Sequence, residues 1–223
     1  MKHLKRHINI AINKEYIEIQ KYAFRKYKIK TVENKHTHLV PEELEQLERL
    51  SLTGKHMKLQ KSLDAFLFCC YAGMRYSDFT NLSKKNIVDI NQETWLIYKS
   101  VKTGTEVRLP LYLLFAGKGI VILNKYRNNL EVFFRLRDNS NINKDLIIIA
   151  KLAGLSKKIS FHTARHTNAT LLIYNGVNIT TVQKLLGHKS VKTTQVYTNI
   201  MDMTIVHDLE KMKQAALGIN CLL

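Results

Sequence analysis

The chain is poor in cysteine, in long apolar runs and in acidic side chains. Its three cysteines are Cys69, Cys70 and Cys221. They are too few and too unevenly placed for a disulfide framework, and the adjacent pair lies in an apolar run, where thiols pack as small hydrophobes. The longest apolar stretches, at residues 65–74 and 146–150, fall well short of the ~18–20 residues that span a bilayer. The N-terminal MKHLKRHINIAINKEYIEIQ is basic but lacks the apolar centre of a secretory signal. A protein that works inside the cell, with no membrane partner, is expected.

The shortage of acid is the more informative absence. The 223 residues hold 35 Lys+Arg against 18 Asp+Glu, a formal net charge of +17. Hydrophobic residues at 45% and charged residues at 24% are ordinary for a globular chain, so the imbalance is not a sign of disorder. An excess of base raises the local concentration of polyanions, nucleic acid first among them, and such binding weakens steeply with salt. A solvated basic surface, or one that meets anionic lipid, would give the same sum.

The imbalance is also local. Between Asp145 and Asp202 there is no carboxylate at all. The same stretch carries Lys151, Lys157, Lys158, Arg165, Lys184, Lys189 and Lys192, with His162, His166 and His188. Paired-carboxylate acid–base chemistry is thereby removed from this region, and few oxygen ligands are left for Mg²⁺. Cationic and hydrogen-bond-donating groups remain, a set suited to phosphate.

Periodicity outlines the fold. Residues 1–23 read as a basic helix and 27–38 as a polar linker. A helix begins at Pro41, with Glu42, Glu43 and Glu45 near its positive end, and a more buried one covers 58–72 and stops at Gly73. Between 86 and 113 the period changes to short β-branched and aromatic runs, NIVDI, TWLIYKSV and EVRLPL. Asn91-Gln92 and residues 102–105 separate them, which predicts a three-stranded antiparallel meander. Helices are predicted near 111–125, 142–153, 162–175, 179–186, 191–199 and 204–216, with Gly154, Gly176 and Gly187 as C-caps. The fold class is mainly α with one small antiparallel sheet.

Two segments concentrate the chemistry. SFHTARHTNATLL places His162, Arg165, His166 and Ala169 on one helical face, with Ser160 as the N-cap. An anion there meets backbone N–H groups, a guanidinium fork and an imidazole. In KLLGHKSVKTTQVYTNI, His188 follows a helix-ending Gly187, and Tyr197 lies on the next helix. That tyrosine is either a half-buried packing residue or a nucleophile whose phenolate is favoured by cations.

The segments AGMRYSDFTNL, VKTGTEVRLPL, HTARHT, LLGH and VYTNI stand in an order and spacing that resembles the catalytic domain of the tyrosine recombinases, the phage integrase family. They look especially like the integrases of conjugative transposons from Bacteroides-type bacteria. The resemblance covers residues 37 to the C-terminus and implies a DNA breaking-rejoining catalytic fold there. Residues 1–36 would then be the last helix of a truncated core-binding domain and its linker.

Carried over position by position, the resemblance makes Arg75 and Arg165 the pair that clamps the scissile phosphate. Lys102 becomes the hairpin lysine, His162 and His188 the two histidine-position residues, and Tyr197 the nucleophile. Asp78 would orient Arg75. Lys157, Lys158, Lys184, Lys189 and Lys192 are the candidate DNA contacts. The resemblance implies attack by Tyr197 on a phosphodiester to give a 3′-phosphotyrosyl link and a free 5′-hydroxyl, with no metal, cofactor or ATP. Two Arg forks carry the negative charge that builds on the non-bridging oxygens. A phenol with a reference pKa near ~10 needs a base, and His162 is the natural acceptor; Lys102 can protonate the leaving oxygen. The implied partner is double-stranded DNA at a specific crossover site, bound by a homotetramer, in integration or excision of a mobile element. The implied location is the bacterial cytoplasm, on the nucleoid when acting.

Three other readings share parts of this pattern. A DNA-binding fragment that does not cut shares fold and charge. A type IB topoisomerase shares the chemistry without strand exchange. A metallohydrolase built on His162 and His166 lacks the glutamate of H-E-x-x-H and an obvious third ligand.

Overall fold

The structure, a computed structural model, describes residues 2–24, 27, 37–197 and 213. The chain divides into two compact units, residues 1–35 and 36–223. In the first, helix α1 spans Lys2–Asn13 and a turn follows, with Glu15 at a φ of 59° and a 3-10 turn at Ile19–Lys21. The helix expected over 1–23 therefore ends ten residues early. The left-handed Glu15 breaks it, and Tyr16 N–H reaches back to the Ala11 carbonyl.

The second unit is built around α3, Gln60–Ala72, which follows α2, Pro41–Glu48. All of α3 from Ser62 to Ala72 is buried, as its apolar sequence requires. It packs against α8 (Phe161–Tyr174), α5 (Lys118–Lys125) and α7 (Asn139–Leu152). Phe68, Phe79 and Phe133 meet edge-to-face or tilted with centroids 5.3–6.2 Å apart. Two short helices that no periodicity announced, α4 (Tyr76–Phe79) and α6 (Leu130–Phe134), supply Phe79 and Phe133 to that cluster. Four or five residues are too few to show a period, so packing makes these helices.

The meander forms as expected. Strands β1 (Ile87–Ile90), β2 (Glu93–Lys99) and β3 (Glu106–Pro110) pair antiparallel in chain order. Asn91 and Gln92, both at positive φ, make the two-residue turn whose twist suits a hairpin. The register Leu96↔Leu109 and Tyr98↔Val107 puts four buried side chains on one face. The strand period thus fixes which face meets the helices.

The helix expected at 111–125 is shorter. Phe115, Ala116 and Gly117 have φ of 49°, 52° and 74°, so a tight 3-10 turn at Leu114–Gly117 precedes α5. The Phe115 ring packs 5.6 Å from that of Tyr71, a contact that sequence spacing does not reveal. Helix α7 starts earlier than its apolar period because Asp138 accepts the Asn141 N–H as an N-cap, 3.0 Å. Helix α9 spans Ile179–Leu186, and α10, Lys192–Gln195, ends just before Tyr197. The expected helix at 204–216 falls outside the described residues except for Lys213, as do the last residues of the one expected at 191–199. Among the described residues no helix is long and apolar enough to cross a membrane.

Candidate active site

The site forms where the C-terminal ends of α3 and α9 meet the buried face of α8. Both ends turn on a left-handed glycine. Gly73 has φ 66°, and a Cβ there would lie 2.6 Å from Asn168 Oδ1; Gly187 has φ 62°, and a Cβ would lie 2.6 Å from Val107 Cγ2. Only glycine meets both the conformation and the space.

Arg165, 1% exposed, fills the junction. Its Nη1 donates to the Gly73 carbonyl at 2.8 Å and its Nη2 to the Leu186 carbonyl at 2.6 Å. Beside it, Asn168 Nδ2 donates to the carbonyls of Cys70 and Tyr71, both at 2.9 Å. The polar face of α8 thereby satisfies the orphan carbonyls of α3 and holds a cation at two negative helix ends. Burial, and next the nearby charge of Arg75, pull the Arg165 pKa down to about 10, which leaves it charged at neutral pH.

Arg75 is the N-cap residue of α4, and Asp78 lies within the short helix that Arg75 introduces. The two approach to 3.5 Å. Asp78 is buried, and it also accepts the Val101 N–H at 2.8 Å and the Ser100 hydroxyl at 3.3 Å, while Arg75 Nη1 donates to Ser100 Oγ at 3.2 Å. The carboxylate thus ties Arg75 to the base of the β2–β3 turn. Ser100 was not among the sequence candidates; it precedes the hairpin lysine by two positions, but its partner is 22 residues away and no local pattern marks it.

Lys102 lies exposed on that turn. Thr103 next to it donates from Oγ1 to the Gly187 carbonyl at 3.1 Å, which fastens the hairpin to the end of α9. His188 follows at once. It is buried, its Nδ1 lies 2.9 Å from Thr194 Oγ1, and Gln183 Nε2 donates to its carbonyl at 3.0 Å. Burial first, then the charges of Arg165, Arg75 and Lys102, hold its pKa down to about 3, so the imidazole is neutral.

Tyr197 is 5% exposed, and its hydroxyl lies 3.1 Å from Nδ1 of His166. Burial raises its pKa, while Arg165 and Arg75 pull it back down. His162 stands edge-on to His166, ring centroids 4.4 Å apart. His162 also lines a cavity of about 420 Å³ with Arg75, Tyr76, Ser77, Asn139, Asn143, Ser160 and Phe161, open beside the first arginine. The structure therefore gathers Arg75, Arg165, His162, His188 and Tyr197, with Lys102 on a turn anchored to the same place. It also adds His166, whose role the sequence left open.

The lysines differ. Lys158, Lys184, Lys189 and Lys192 are exposed. Lys157 is partly buried, and its Nζ meets Glu43 Oε2 at 2.7 Å and the His38 carbonyl at 3.3 Å. Among the described residues no three His, Cys, Asp or Glu side chains form a cluster that could hold a metal ion.

The fold is a mainly helical domain with a three-stranded meander, and its site is a cationic cluster around a buried tyrosine. The comparisons carry this further. Residues 37–203 match the phage integrase family, and the chain belongs to it. It is 30% identical over 185 residues to a tyrosine recombinase of Pseudothermotoga lettingae, a match that covers 79% of this chain and 60% of that one. It is 34% identical over 134 residues to the tyrosine recombinase XerA of Saccharolobus solfataricus, covering 58% of this chain and 42% of the other. Among solved structures, the Tn1549 transposon integrase in complex with a circular intermediate DNA superposes with a TM-score of 0.67 at 16% identity, over 94% of this chain and 77% of that one. A lambda integrase dimer bound to a COC′ core site gives 0.66 at 20% identity, over 87% and 69%. These likenesses are of fold. The chain spans less than two thirds of the length of these curated relatives.

Proposed function

We propose that the chain carries the catalytic domain of a site-specific DNA recombinase that acts through a covalent phosphotyrosine. The observation that carries this reading is one buried site that gathers Arg75 and Arg165, tied to the ends of α3, α9 and the β2–β3 turn, with His188 and the buried Tyr197. In the proposed reaction Tyr197 Oη bonds to phosphorus and the bond from phosphorus to the 5′ oxygen breaks. Arg75 and Arg165 carry the charge on the non-bridging oxygens. Lys102, exposed on the β2–β3 turn, gives the leaving 5′ oxygen its proton. His188, neutral and bonded to Thr194, serves as a hydrogen-bonding partner of the phosphate rather than as a cation. The covalent link conserves the phosphodiester energy, so the strand can pass to a new partner without ATP or metal.

The partner in this reading is double-stranded DNA at a crossover site, with assembly as a homotetramer and action in the cytoplasm. Residues 1–36 serve as the end of a core-binding domain and its linker, and 37–223 as the catalytic domain. The named relatives, tyrosine recombinases over most of this length, support the reading. The test is a nicked suicide substrate mixed with protein in EDTA and resolved on a denaturing gel. A protein–DNA adduct is expected from the wild type and none from Tyr197→Phe, with DNA binding kept. An adduct that survives Tyr197→Phe places the nucleophile elsewhere, and an adduct lost to EDTA overturns the metal-free chemistry.

A further inference from the structure

A side chain that lies beside the tyrosine oxygen is one to which the sequence assigned no role. His166 is buried on α8, one residue past Arg165 and one turn past His162. Its Nδ1 is 3.1 Å from Tyr197 Oη, and the two ring centroids are 5.5 Å apart. The edge-on ring of His162 packs against it at 4.4 Å and limits where the imidazole can turn. Helix α8 is fixed in turn by Arg165 and Asn168, which bind the end of α3. A rigid element therefore presents one ring nitrogen to the phenol, the geometry a proton acceptor needs.

We propose that His166, in place of the His162 expected from sequence, orients Tyr197 and takes its phenolic proton as the oxygen attacks. This rests on the covalent chemistry proposed above. The imidazole carries its hydrogen on Nε2 and accepts the phenol hydrogen bond at Nδ1. As the Oη–P bond forms and the P–O5′ bond breaks, the phenolic proton passes to Nδ1, and Lys102 protonates the 5′ oxygen. In rejoining, the 5′-hydroxyl returns its proton to Lys102 as it attacks phosphorus, the Oη–P bond breaks, and His166 returns the proton to Tyr197. Atoms and charge balance in both directions without a further reactant.

Two variants separate the holding of the phenol from proton transfer. Asparagine reaches the Nδ1 position and can keep the hydrogen bond, but it cannot take a proton; alanine does neither. Both His166→Asn and His166→Ala are expected to form adduct about 100-fold more slowly than wild type, with DNA affinity within about twofold, since no part of the binding surface is changed. The assay is repeated with DNA whose 5′ bridging oxygen is replaced by sulfur, a leaving group that needs no proton. That substrate is expected to rescue Lys102→Ala and not the His166 variants. Wild-type rates from His166→Asn, or rescue of it by sulfur, overturn the assignment.

A wild type that binds DNA without forming adduct overturns the covalent reading instead. The pairing itself is then tested by the Tyr197 ¹³Cζ resonance of tyrosine-labelled protein, identified by its absence from Tyr197→Phe. A shift on His166→Ala is expected, and an unmoved signal overturns the contact.

Discussion

A cation and an imidazole buried side by side must settle how one of them stays neutral. Arg165 keeps its charge because two helix-end carbonyls bind it. His188, close to that charge and out of water, gives up its own. The consequence is a pH dependence with a definite sign. In the unfolded chain His188 titrates near 6.5, and in the folded protein near 3. The unfolded state therefore binds the extra proton first, and stability present above about pH 6.5 is lost as the pH falls toward 3. The loss attributable to this one group approaches about 1.4 kcal/mol per pH unit within that window. His188→Asn, which can still reach Thr194, removes the titration. Denaturant melts of the two proteins between pH 7 and 4.5 are expected to converge as the pH drops. Parallel curves would show that His188 is not held neutral. At this scale the motif residues were legible because the spacing of R…K…H-x-x-R…G-H…Y is written along the chain. Ser100 and Thr103 were not, since a serine and a threonine in a turn gain their meaning from Asp78 and Gly187, distant in sequence. His166 was visible as a residue and opaque as a role, because its partner is 31 positions away.

Among the elements, the β2–β3 hairpin is the one whose placement decides chemistry. The strand period predicted it, and the register buries Leu96, Tyr98, Val107 and Leu109 as alternation requires. Periodicity could not predict how the turn is tied down. Ser100 N–H donates to the Thr105 carbonyl at 2.8 Å and closes the turn, and the Thr103 hydroxyl reaches the Gly187 carbonyl. Thr103→Val keeps the shape and removes that anchor. A hydrogen bond of this kind contributes about 1 kcal/mol, so the fold should survive. The expected effect is on Lys102, whose average position loosens. Adduct formation should slow by about 10-fold at unchanged DNA affinity, and a 5′-sulfur leaving group should restore it. Failure of that substrate to restore the rate would place the Thr103 effect away from the lysine. The same contrast explains the elements that pattern reading missed. Helices α4 and α6 are too short to have a period, and the turn at Leu114–Gly117 sets Phe115 against Tyr71, distant in sequence. By comparison α9, whose apolar stripe ends on Gly187, has the bounds that its sequence announces.

At the scale of the whole molecule a charge of +17 makes salt the main control over binding. Each phosphate neutralised releases counterions, so the logarithm of the affinity falls linearly with that of salt concentration, by about 0.9 per contact on duplex DNA. The five lysines named from sequence are not equivalent here. Lys157 is engaged by Glu43 and by the His38 carbonyl, so its charge is already answered within the protein. Lys158, Lys184, Lys189 and Lys192 are exposed in a stretch without a carboxylate. Replacing those four with alanine is expected to flatten the salt slope by about 3 to 4, whereas Lys157→Ala should leave it within error and act on stability instead. Fluorescence anisotropy with a labelled duplex between 50 and 300 mM salt, about the range over which such slopes are read, measures both. A quadruple variant with the wild-type slope would move the DNA-facing surface away from these lysines. A Lys157 variant that lost a full contact would mean that DNA competes Glu43 away from it.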